Sequence, residues 1–171
     1  MTPSELPDVS TLLEQMATQL ANQLQQRGLS DVCMIGIHTG GVWVAEELHQ
    51  RMAISEPLGT LDISFYRDDF SRVGMHPQVK PSNLPFEVED RAIILVDDVL
   101  QSGRTVRAAL NEIFDYGRPA SVLLAVLVER SGRELPIQAD VHGIRMDLGP
   151  NEQIKLNGPE SLSLSLQTSH D

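Results

Sequence analysis

The chain has 171 residues, 41% of them hydrophobic, which suits one domain with a sizeable core. Thirteen basic residues against 24 acidic ones leave a formal charge of −11, which argues against strong non-specific binding to nucleic acid; only Lys80 and Lys155 are lysines. The single cysteine, Cys33, excludes an internal disulfide framework. There is no signal peptide and no apolar run of bilayer-spanning length, so the expectation is a soluble cytoplasmic protein.

Residues 1–9 hold two prolines and little pattern, and read as a mobile arm. From Ser10 the apolar positions Leu12, Leu13, Met16, Leu20 and Leu24 follow helical spacing until Gly28 ends the run, giving a packing helix. Asp31 to Ile37 reads as a buried strand with Cys33 as a small hydrophobe inside it. His38-Thr39-Gly40-Gly41 and a helix from Val42 to Met52 follow. That loop can present backbone amides to an anion such as pyrophosphate, although Gly40-Gly41 alone reads equally as an ordinary tight turn. Gly59 to Tyr66 is expected as a further strand. Arg67 to Phe86, with three prolines and mixed charges, is a long patternless loop able to close over a substrate.

The most informative stretch runs from Arg91 to Leu110. Ile93 to Val96 are four apolar residues in a row, as in a parallel strand covered on both faces. Asp97 and Asp98 are expected where that strand ends, followed by a turn at Ser102-Gly103 and a helix from Thr105 to Tyr116. Strand, acidic pair, small-residue turn and helix describe a site at the carboxyl edge of an α/β sheet. A helix N-terminus binds phosphate through unpaired N–H groups and a partial positive charge. Gly103 allows close approach of an anion, Ser102 and Thr105 add hydroxyls, and Arg104 and Arg107 would be relieved by an anion at the positive end of the helix dipole. Asp97 and Asp98 can accept from a vicinal diol or hold Mg²⁺, so a diol or metal beside a phosphate points to a ribose 5-phosphate.

Beyond that helix, Gly117 and Arg118-Pro119 make a turn and Ser121 to Val128 forms another buried strand. Glu129-Arg130-Ser131-Gly132-Arg133 then lies at its carboxyl end, facing the same crevice. Leu162, Leu164 and Leu166 alternate with serines as a short edge strand, and residues 167–171 are expected to fray. No linker divides the chain, so residues 1–171 form a single domain.

The thirteen residues from Ile93 to Thr105 (Ile93, Ile94, Leu95, Val96, Asp97, Asp98, Val99, Leu100, Gln101, Ser102, Gly103, Arg104, Thr105) resemble the phosphoribosyl-pyrophosphate (PRPP) motif of type I phosphoribosyltransferases. Leu61-Asp-Ile-Ser-Phe-Tyr-Arg-Asp-Asp69, Gly117-Arg-Pro119, Leu127-Val-Glu-Arg130 and Arg133-Glu-Leu-Pro136 extend the likeness, which resembles the pyrimidine operon attenuator/uracil phosphoribosyltransferase (PyrR) family from about residue 10 to about residue 143. The resemblance implies an α/β fold, a central parallel sheet flanked by helices with a flexible flap at 67–86 and a small hood, assembled as a homodimer or larger homo-oligomer. It implies that PRPP and Mg²⁺ bind at Asp97 and Asp98. The 5′-phosphate would sit at Ser102 to Thr105, pyrophosphate at Thr39-Gly40-Gly41, and the base near Glu129, Arg130 and Arg133. Arg67 would join Asp97 and Asp98 in catalysis.

Three functions follow from the resemblance. One is transfer of phosphoribosyl from PRPP to uracil; another is sensing of UMP or UTP to regulate pyrimidine messenger RNA. The third is purine transfer, since His38-Thr39-Gly40-Gly41 also resembles the purine enzymes' loop. Two departures matter. Gly40 stands where the PyrR loop has arginine, which puts catalytic strength in doubt because charge-assisted bonds contribute roughly 1.5–3 kcal/mol each. Met146 to Gln153 replaces a lysine-containing segment of the RNA-binding surface, which with the net charge weakens the case for pyrimidine leader RNA as a partner.

Overall fold

The computed structural model describes residues 5–63 and 82–169. Five parallel strands form one sheet in the order β2-β1-β3-β4-β5: β1 Cys33–Ile37, β2 Gly59–Leu61, β3 Ala92–Leu100, β4 Ser121–Arg130 and β5 Val141–Met146. Among the described residues three helices cover it: α1 Val9–Gln26, α2 Gly40–Arg51 and α3 Arg104–Tyr116. An antiparallel hairpin of β6 Glu152–Asn157 and β7 Ser163–Thr168 completes the described residues. Among the described residues no helix is long and apolar enough to cross a membrane.

Each apolar run divides its side chains between two cores. Ile94 and Val96 pack with α1, α2 and the hairpin residues Ile154 and Leu156. Ile93 and Leu95 point the other way, into a core made with Val106, Ala109 and Ile113 of α3. All four are fully buried, as expected of a parallel strand with helices on both faces. Cys33 lies in the second core at 0% exposure; burial pushes its thiol up, against a smaller lowering by the Arg91 cation, so it is a packing residue and not a nucleophile.

The chain leaves β1 toward α2 on one face and β3 toward α3 on the other, and β1 and β3 are neighbours. That reversal opens a crevice beyond the carboxyl ends of β1 and β3, where ligands of open α/β sheets bind.

Several boundaries differ from the sequence expectation. Residues 5–9 are not an arm: Asp8 caps α1 by accepting from the Thr11 amide at 3.2 Å, Leu6 packs on the core, and Val9 is 2% exposed. Prolines just ahead of a helix announce its start as readily as a loose terminus. The tail is ordered further than expected, because Gln167 and Thr168 pair with Gln153 and Glu152, and Ser169 donates to the Asn151 carbonyl at 2.8 Å. α2 begins at Gly40 rather than Val42, so both loop glycines belong to its first turn. β4 runs on through Glu129 and Arg130. Of the strand expected over 59–66, residues 59–61 form β2, and 64–66 lie outside the described residues together with 67–81 of the expected flap, Arg67 among them. The far end of the expected flap is held at residues 82–83: Asn83 exchanges two 2.8 Å backbone bonds with Thr60, and Ser82 Oγ accepts from the Asp62 amide at 3.1 Å.

Candidate functional site

The acidic pair sits within β3, not beyond its end. Pairing with β1 stops at Gly36↔Val96, whereas pairing with β4 continues through Asp97↔Val126 to Leu100↔Glu129. Past Val96 the strand therefore loses one neighbour, and the aspartates serve its backbone themselves. Asp97 Oδ1 accepts from the Asp98 amide at 2.9 Å, and Asp98 Oδ1 accepts from the Val99 amide at 2.8 Å. Core alternation slips there: Val96 and Val99 both pack on the α1/α2 side, and Leu100 on the α3 side. Asp97 is 6% exposed and Asp98 half-buried.

The first turn of α2 is pressed against this pair. A Cβ on Gly40 would stand 2.2 Å from Asp98 Oδ2, and one on Gly41 would stand 2.8 Å from the Val96 carbonyl and 3.0 Å from Asp97 Oδ1. Only glycine permits so close an approach, which brings the positive end of the helix to the carboxylates. Thr39 is exposed and its side chain does not cap the helix, and the peptide linking it to His38 is cis. No proline marks that peptide, so the sequence carries no signal for it.

Leu100 to Gly103, Thr105 and Val106 line a cavity of about 240 Å³ with Asp97 and Val99 on its wall. Gly103, the residue ahead of α3, has φ 96°, a left-handed conformation that favours glycine. Ser102 Oγ accepts from the Arg104 amide at 3.1 Å. The Ser102 carbonyl accepts from the amides of Glu134 and Leu135, both at 3.0 Å, and Arg104 Nε donates to Glu134 Oε2 at 2.9 Å. Glu134 was not among the expected site residues, and its separation of 30 residues from Arg104 leaves no local pattern to find it by. Ile93, Ile94, Leu95 and Val96, expected within the PRPP motif, are at 0% exposure and position the loop from inside the cores.

Glu129, Arg130 and Arg133 do come together, lining a second cavity of about 460 Å³ at the carboxyl edge of β4 and β5 with Ser131, Gln138, Arg145 and Asp147. Two of the three are already engaged. Glu129 Oε2 accepts from Arg145 Nη2 at 3.1 Å and lies 3.5 Å from His142 Nδ1. Arg130, 8% exposed, donates from Nε to the Ser131 carbonyl at 3.0 Å and from Nη1 to the Glu152 carbonyl at 2.8 Å. Its fork ties β4 to the hairpin, so the guanidinium anchors the hood from the wall of this cavity.

Among the described residues no group of three or more histidine, cysteine or acidic side chains could cage a metal ion. The adjacent Asp97 and Asp98 carboxylates suit an ion that completes its shell with substrate oxygens and water, as Mg²⁺ does.

Residues 8–155 match the family model described as phosphoribosyl transferase domain. The chain belongs to the phosphoribosyltransferase family. Within that family it falls with the PyrR proteins. A Bifunctional protein PyrR from Nitrosococcus oceani is 63% identical over 162 residues, 94% of this chain and 92% of that protein. A protein of the same name from Pseudomonas syringae pv. tomato is 60% identical, covering 95% of each chain. Solved phosphoribosyltransferases share the architecture. A hypoxanthine-guanine phosphoribosyltransferase from Bacillus anthracis aligns with a TM-score of 0.67 at 17% identity, covering 87% of this chain and 85% of that one. A purine phosphoribosyltransferase from Pyrococcus horikoshii gives 0.58 at 21%, covering 79% and 83%. At such identities these phosphoribosyltransferases carry the fold and say nothing about which base this chain takes.

Proposed function

We propose that the chain is a uracil phosphoribosyltransferase that transfers phosphoribosyl from PRPP to uracil, releasing pyrophosphate and leaving UMP. The observation that carries this reading is the meeting of two anion-ready loops, after β1 and after β3, on either side of the Asp97-Asp98 pair. The names of the PyrR relatives support it. The Ser102 to Thr105 loop and the N-terminus of α3 would take the 5′-phosphate. The Gly40 and Gly41 amides would face the pyrophosphate. Asp97 and Asp98 would hold the ribose hydroxyls and Mg²⁺, which when bound supplies positive charge against the departing pyrophosphate. An oxocarbenium-like transition state needs no nucleophilic side chain, so positioning and charge stabilisation carry the rate. Arg67 retains its proposed catalytic role from the family resemblance.

Uracil-dependent pyrophosphate release from PRPP and Mg²⁺ tests this, with guanine and hypoxanthine as competitors; release with a purine but not with uracil would overturn it. Gly103→Val tests the phosphate loop. At φ 96° any L-residue is strained, and the new side chain would meet Ile137 and Leu135, whose Cβ atoms stand 3.3 and 3.4 Å from the position of a Cβ there. The strain costs about 1–2 kcal/mol, and the shifted loop should weaken UMP binding at least ten-fold in a protein that still melts cooperatively. Unchanged UMP affinity would remove the phosphate from this loop.

The word "bifunctional" in the relatives' names favours a second role, nucleotide sensing by the same pocket, with UMP or UTP as the signal and pyrimidine leader RNA as the partner to test.

A further inference from the structure

We propose that Glu134 is a positioning residue for the phosphate loop, an inference that rests on the reading of Ser102 to Thr105 as the phosphate site. The bonds from the Glu134 and Leu135 amides fix the direction of the Ser102 carbonyl. The peptide from Ser102 to Gly103 is trans, so its N–H points opposite to its C=O. With the carbonyl turned onto the 134–135 segment, the Gly103 N–H is turned away from it, toward the opposite side of the loop. The backbone clamp therefore aims a donor, and it comes from a loop that follows β4 rather than β3.

The Glu134 side chain adds a second hold. Arg104 is the first residue of α3, and its Nε–H is taken by Glu134 Oε2 at 2.9 Å. A guanidinium has five N–H donors, so this bond orients the group by one edge and leaves four donors on the two Nη atoms. No other hydrogen bond or ion pair engages the Arg104 side chain among the described residues. Glu134 thus holds the cation beside the loop without consuming the part that would meet a phosphate. The same segment closes the back of the loop: Leu135 and Ile137 stand behind Gly103, and Gly132 lies against the Gln101 side chain. Because this connection leaves β4 just past Glu129 and carries Arg133, the proposed base end and the phosphate end of the site share one strut.

The experiment compares the full chain with Glu134→Ala, Glu134→Gln, Arg104→Ala and the double variant Arg104→Ala/Glu134→Ala. It measures UMP affinity by calorimetry, KM for PRPP and for uracil, kcat, and thermal midpoint. Glu134→Ala should weaken UMP and raise KM for PRPP about three- to five-fold, the scale of one partly exposed ion pair, while kcat and KM for uracil stay within about two-fold. Glu134→Gln keeps an acceptor for Nε–H and should recover most of the affinity. In the Arg104→Ala background, removing Glu134 should cost nothing further, since the pair acts as a unit. Equal costs in both backgrounds would overturn the proposal, as would tighter UMP binding by Glu134→Ala or a fall in thermal midpoint with UMP affinity unchanged. Failure of the wild-type chain itself to bind UMP would overturn the phosphate-site reading and this proposal with it, and is distinguishable because it appears before any substitution.

Discussion

Gly40 carries two consequences that pull against each other. The PyrR pattern has arginine there, and a guanidinium beside the leaving pyrophosphate would favour the transition state over the ground state. Yet a Cβ at this position would stand 2.2 Å from Asp98 Oδ2 and 2.8 Å from its carboxyl carbon, so any side chain turns the Asp98 carboxylate away from where it now lies. Asp98 Oδ1 also holds the Val99 amide, and that bond resists the rotation. If Asp98 helps to hold Mg²⁺, both Gly40→Ala and Gly40→Arg should raise the Mg²⁺ concentration needed for half-maximal transfer, by about three-fold or more for a weakened ligand. Only the arginine variant should regain rate at saturating Mg²⁺. UMP affinity in Mg²⁺-free buffer should stay level in both, because a monophosphate does not occupy this loop. A Mg²⁺ requirement identical to wild type in Gly40→Ala would dissociate Asp98 from the metal. The sequence exposed the missing arginine but not the contact that resists restoring it, since Gly40 and Asp98 are brought together only by the packing of α2 on β3.

At the scale of elements, Arg130 joins the last residue of β4 to the hood. Its buried guanidinium donates to two carbonyls, one in the following loop and one at the start of β6. Hydrogen bonds to a charged group contribute roughly 1.5–3 kcal/mol, and a buried carbonyl left without its donor adds a penalty. Arg130→Ala should therefore lower unfolding free energy by about 2–4 kcal/mol in urea titration, while UMP affinity at low temperature changes little because the phosphate loop is held from elsewhere. A stable variant that has lost uracil binding would place Arg130 in the base site. The strands themselves were legible from their apolar runs, and α1 from its spacing. Their ends were not: β3 continues under Asp97-Asp98 through its ladder with β4, and β4 under Glu129-Arg130 through its ladder with β5, because pairing persists where side chains turn polar. Sequence patterns follow side chains, whereas strand boundaries follow backbone pairing.

Across the whole molecule, no local pattern dictates that β1 and β3 are neighbours; the crevice was legible only through the resemblance of the Ile93 to Thr105 stretch. Charge distribution at that crevice bears on the second role. Of the arginines at the carboxyl edge, Arg104 is paired with Glu134 and Arg145 with Glu129, while Arg130 is spent on carbonyls. Arg107 and Arg133 are exposed, and neither makes an ion pair among the described residues. The segment from Met146 to Gln153 adds Asp147 and Glu152 and no lysine. Two unpaired arginines at that edge, on a chain of net charge −11, can neutralise few phosphates. With about two ion pairs to single-stranded RNA, affinity should fall only about seven-fold between 50 and 200 mM salt, from a starting dissociation constant no tighter than roughly 10⁻⁶ M. A gel-shift titration of a pyrimidine leader RNA with UMP present, repeated across that salt range, measures both numbers. A nanomolar complex that survives 200 mM salt would mean that the recognising surface includes residues beyond the carboxyl edge or a second copy of the chain, since the arginines of that edge cannot supply the charge.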